Sequence, residues 1–120
     1  MRFGIPFFIA LALAASVAGA KPARYLPCFW VTGRMTVGPG TPATRIWPRN
    51  SNRILGVVSR AHPQPDDAYA AELPIMAARL LTSENNFRAW GDFLVCPLSE
   101  NRAGHMRYVW VQRARNLISE

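Results

Sequence analysis

Apolar and polar residues alternate with a period of two in several short stretches of the chain, a rhythm that predicts strands rather than helices. Over residues 28–37 the row Phe29, Val31, Gly33, Met35, Val37 alternates with Cys28, Trp30, Thr32, Arg34, Thr36, so a first strand has one apolar face. Gly33 interrupts that row. A glycine inside a strand marks a bulge or sharp bend, which lets a long strand join a curled sheet. Gly38-Pro39-Gly40-Thr41-Pro42 is a turn by composition, and a second strand follows over 43–49. After a turn at 48–52, the β-branched stretch 53–59 reads as a third strand. Three strands in succession predict a meander.

The period then changes. Residues 61–65 break the pattern, Asp66 is placed to cap a short turn, and Leu73, Met76, Ala77, Leu80 and Leu81 recur at helical spacing. A helix over 74–82, with Pro74 at its first position, would lay this stripe on the sheet. A fourth strand is expected over 87–96, containing Gly91 and closed by Pro97. After a loop at 99–104 comes the strongest strand pattern, 106–113, where Val109 and Val111 alternate with Tyr108, Trp110 and Gln112. The tail, 114–120, either extends that strand or turns into a short helix. Trp30, Trp90 and Trp110 are expected in the core, because a large aromatic contributes most when buried, and Met35 and Met76 are expected there as gap-fillers.

Ahead of these elements, residues 3–17 form an apolar run preceded by Arg2 and followed by Ala18-Gly19-Ala20, the three-part anatomy of a secretory signal with cleavage after Ala20. The run is shorter than the roughly 18 apolar residues of a membrane span, and an uncleaved anchor is the alternative. The domain organisation expected is a signal peptide over 1–20, an extended segment over 21–27, and one β-rich domain over 28–120. In an oxidising compartment the two cysteines, Cys28 and Cys96, are expected to form a disulfide, the alternative being two buried free thiols. Such a bridge would stabilise the fold by roughly 4 kcal/mol in the chain-entropy model.

The order strand, strand, strand, helix, strand, strand resembles that of the OB-fold, a five-stranded Greek-key barrel. In that fold the first and fourth strands lie side by side and antiparallel, so Cys28 at the start of one would face Cys96 at the end of the other. A β-roll with one helix satisfies the same order. The stretches GRMTVGPGTPATRIWPRNSNRILGV (33–57) and GDFLVCPL (91–98) resemble small exported bacterial proteins of unknown function, a resemblance that implies a compartment and no activity.

Composition narrows the chemistry. Half of the residues are hydrophobic and 18% are charged, as expected of a folded domain. The chain has 14 basic and 7 acidic residues, and Lys21 is its one lysine, so its cationic surface is built from planar guanidinium groups suited to carboxylate and phosphate. His62 and His105 have no partner at metal-ligand spacing, and no metal or cofactor is expected. Ser59, His62 and Asp66 lack the glycines of a nucleophile elbow, Asp66 and Asp67 are adjacent and point different ways, and Gly38-Pro39-Gly40 lacks the lysine and helix of a phosphate loop.

The candidate ligand-binding residues are Arg45, Trp47, Arg49 and Arg53. The first three share one face of the second strand, with Ile46 and Pro48 on the other, and Arg53 extends the patch from across the turn. The competing arrangement has Trp47 packed into the core or on a neighbouring strand and the arginines merely solvated around a hairpin. The function expected is an exported, periplasmic or secreted, non-enzymatic binding module whose partner is a protein or an anionic envelope component. A structural or stress-related envelope protein and an enzyme without a recognisable motif are the alternatives. Nucleic acid ranks last, because an exported protein rarely meets it.

Overall fold

The structure, a computed structural model, describes residues 26–66, 68 and 70–119. The signal peptide with its cleavage point and most of the expected extended segment lie outside the described residues. Five strands form a closed barrel: β1 (Phe29–Val37), β2 (Thr44–Pro48), β3 (Leu55–Val57), β4 (Arg88–Pro97) and β5 (Arg107–Ser119). Around the barrel the order is β1-β2-β3-β5-β4, and β4 closes back onto β1. The three-strand meander is present, β1 runs antiparallel to β4, and β3 and β5 are parallel, with Leu55 opposite Arg107. This is the OB-like barrel that the element order predicts. A short helix α1 (Ile75–Leu80) and a 3-10 turn (Ser83–Asn85) lie between β3 and β4.

Closing five strands on themselves needs strong local curvature, and Gly33 lies where it is needed. It is where β1, already paired with β4, first pairs with β2: Gly33 is opposite Gly91 on one side and Pro48 on the other. A Cβ on Gly33 would collide with the Trp47 carbonyl oxygen and lie 2.9 Å from the Pro48 Cα. The strands can approach this closely only without a side chain. The register between β4 and β5 slips between Trp90 and Asp92, where β5 carries an extra residue and Asn116 takes a left-handed conformation with φ 55°. The Asn116 side-chain amide also donates to Asp92 at 2.8 Å, which secures the bulge.

The barrel interior is filled by Met35, Ile46, Leu55, Val57, Phe93, Val95, Val109 and Val111, with Ala77 of α1 packed against them. Cys28, just before β1, and Cys96, near the end of β4, form the expected disulfide at one end of the barrel. The Ser59 hydroxyl donates to Glu72 at 2.8 Å and the Arg60 amide donates to the same oxygen at 2.9 Å, tying the chain after β3 to the segment before α1.

Several expectations require correction. Trp30, Trp90 and Trp110 are not core residues: Trp30 is 37% exposed and the other two are half-buried. Each stands in the outward phase of its strand, beside Thr32, Asp92 and Gln112, and the cylinder they surround has room for methionine, valine and one phenylalanine. Met76 is 57% exposed, because the helix turns only Ala77 fully inward. That helix is shorter than predicted, with Pro74 as its cap rather than its first residue. β3 shrinks to three residues, while β5 takes in most of the tail, since its later residues continue to pair with β4 as far as Ala89 opposite Ser119.

Candidate functional site

The alternation of β2 buries Thr44 and Ile46 and turns Arg45 and Trp47 outward, leaving Trp47 40% exposed. Trp47 is held across the sheet, its indole N–H donating to the Thr36 hydroxyl of β1 at 3.1 Å. Arg45 is held by the turn before it, its Nε donating to the Pro42 carbonyl at 3.1 Å while the guanidinium lies against Gly40. Together with Arg34 and Arg88 they line an open hollow of about 350 Å³ beside the β1–β2 turn.

Arg49 and Arg53 line a different hollow. It measures about 830 Å³, opens at the disulfide end of the barrel, and includes Phe29 and Trp30 from the start of β1 and Arg107 from the start of β5. Arg53 reaches across to the β4–β5 loop, where its guanidinium donates to the carbonyls of Arg102 at 2.6 Å and His105 at 3.2 Å. Arg107 lies 5.5 Å from the Phe29 ring centroid, and its buried Nε has no hydrogen-bond partner among the described residues. Burial, and after it the neighbouring charge of Arg53, lower the Arg107 pKa from the ordinary guanidinium value. Among the described residues, none that lines either hollow is acidic. Clustered guanidinium groups raise the local positive potential, which favours an anion.

The four residues singled out in the sequence therefore do not form one compact patch. Arg45 and Trp47 belong to one hollow, Arg49 and Arg53 to the other, with Arg45 and Arg49 about 13 Å apart at the usual rise per residue. Trp47 is not in the core, and it rests on the neighbouring strand β1 through its bond to Thr36, as one form of the competing arrangement has it. Arg34 and Arg88 were within reach of the alternation, since both share the outward phase of their strands. Arg107 was not, because only the parallel pairing of β3 with β5 brings it beside Arg53.

Between the hollows the outer sheet carries a row Trp47, Arg34, Trp90 across β2, β1 and β4, with Arg49 placed 5.9 Å from the Trp90 ring centroid. Other tryptophans are covered in the same way, Trp30 by Arg115 at 3.9 Å and Trp110 by Arg60 at 4.3 Å. Asp92 is a carboxylate on this face. It accepts from the Thr32 hydroxyl at 2.6 Å and from Asn116, and Arg115 lies 3.5 Å away, so its pKa is held below the usual carboxylate value, chiefly by the Thr32 hydrogen bond. A catalytic arrangement around Ser59 finds no support in its contacts, for the Ser59 hydroxyl is committed to Glu72. Comparison with protein families, curated proteins and solved structures finds no match to this chain, so the site is interpreted on its own geometry.

Proposed function

We propose that this protein is an exported, non-enzymatic binding module of the cell envelope whose ligand is anionic. The observation that carries the proposal is the hollow at the disulfide end, lined by Arg49, Arg53 and Arg107 together with Phe29 and Trp30, with no acidic residue among the described lining residues. Arg53 is oriented in advance by two backbone carbonyls, which reduces the ordering that binding requires. Planar guanidinium groups suit bidentate recognition of carboxylate or phosphate. The Cys28–Cys96 bridge fits assembly in an oxidising compartment, and among the described residues no helix is long and apolar enough to cross a membrane.

The test uses the exported, oxidised protein and heparin as a generic polyanion, with neutral dextran as control. Binding to heparin is expected to weaken as salt is added, and the double variant Arg53→Ala, Arg107→Ala to lose about tenfold or more in affinity. Equal binding to dextran, or unchanged heparin binding by the double variant, refutes the reading. Intact-mass measurement of the exported protein checks the compartment, with Lys21 expected as its first residue.

A further inference from the structure

We infer that the ligand is a linear acidic polysaccharide lying along β2, with its charged groups in both hollows and a sugar ring on Trp47; this rests on the anion-binding reading above. The first support is spatial. The two basic hollows lie at opposite ends of one five-residue strand, and the outward residues from one to the other run Arg45, Trp47, Arg49. A single small anion would occupy one hollow and leave the other unexplained, whereas a chain with repeated charges engages both and gains avidity from their linkage.

The second support concerns what lies between the charges. Trp47, bonded to Thr36, keeps 40% of its surface exposed and follows Arg45 and precedes Arg49 in the outward row of the chain, an apolar surface suited to the flat face of a sugar. Nucleic acid would also present repeated charge, but sequence-tolerant binding of single strands relies on several open aromatic faces for base stacking. Here Arg115 lies over Trp30, Arg49 over Trp90 and Arg60 over Trp110, so guanidinium groups already occupy positions where bases would stack. Charge along the track with one open indole favours an anionic chain without bases.

Calorimetry with galacturonate oligomers, which carry one carboxylate on each sugar, tests the inference on the exported, oxidised protein. A decamer is expected to bind about tenfold or more tightly than a dimer. The double variant Arg45→Ala, Arg88→Ala, shown by thermal unfolding to remain folded, is expected to bring the decamer down to the affinity of the dimer and leave the dimer unchanged. Equal affinity for the two lengths, or decamer binding indifferent to that double variant, overturns the track while retained heparin binding leaves the broader reading standing. Loss of heparin binding itself would defeat the broader reading first. A single-stranded oligonucleotide of matched charge that binds as tightly as the decamer overturns the choice of polysaccharide.

Discussion

The inside and outside of this barrel are made by the same strands, yet they solve different problems. Inward positions carry Met35, Ile46, Val57, Phe93, Val95, Val109 and Val111, all essentially removed from solvent. The outward positions beside them carry Arg34, Trp47, Trp90 and Arg115, each half-buried or exposed. The interior is small, and a tryptophan there would overfill it, so the large aromatics stand outside, where arginines cover several of their rings. Apolar burial is thereby concentrated within the cylinder and exposed charge on its wall. Outer residues should consequently be exchangeable at small cost to folding, while inner ones should not.

The hardest test of that division is Phe93, the largest fully buried side chain. Phe93→Ala removes the ring that fills the centre of the barrel and is expected to cost about 3–5 kcal/mol by chemical denaturation. A loss below about 1 kcal/mol would show that the interior collapses around the gap and that the core is less tightly specified than its burial implies.

A finer test uses a position where inside and outside meet. Gly33 is buried, and a methyl group there would strike the carbonyl of Trp47, a backbone atom that cannot rotate away. Gly33→Ala is therefore expected to cost about 1–3 kcal/mol and to disturb the pairing of β2 that presents Arg45 and Trp47. Gly38→Ala is the control, because nothing lies within 4 Å of the point where its methyl group would stand, and a change within about 0.5 kcal/mol is expected. Equal effects at the two glycines would remove the account of how β1 curves.

A special role for Gly33 was legible in the sequence because a glycine broke an otherwise regular apolar row, and the structure shows a close approach of β2 there; the disulfide was legible from two cysteines in an expected oxidising compartment, with the order of elements in agreement. The positions of the tryptophans were legible too, since Trp30 falls in the same row as Thr32 and Arg34; the expectation that size implies burial outweighed the phase and misled. The division of the arginines between two hollows was not legible. It depends on Arg53 reaching carbonyls 49 and 52 residues away, and on Arg107 arriving through a parallel pairing with β3. Long-range pairing of this kind leaves no local pattern. β3 is shorter than the strand composition of 53–59 suggests, although the Val58 amide just beyond Leu55–Val57 still donates to the Val109 carbonyl at 3.0 Å.

The smallest expected effect belongs to the outer wall and is read through pH. Asp92 accepts hydrogen bonds from Thr32 and Asn116 and faces Arg115, and these contacts lower its folded-state pKa below the ordinary value of 3.8. A carboxyl group whose pKa is depressed by folding stabilises the native state above its unfolded pKa, and that contribution disappears as pH falls through the folded value. Stability should thus be level near neutrality and decline as the medium is acidified below about pH 4. Glu72, held by Ser59 and by the amide of Arg60, is shifted in the same direction and adds its own decline. Asp92→Asn removes one contribution and leaves the other. The variant is expected to be slightly less stable than the parent at neutral pH, with the gap closing on acidification, because the parent loses its advantage when Asp92 is protonated. The effect should remain small, since the arginine facing Asp92 is itself well exposed to water. Denaturant titrations of both proteins across that range provide the measurement. A constant difference at every pH would mean that Asp92 acts through the shape of its hydrogen bonds at the Asn116 bulge rather than through its charge.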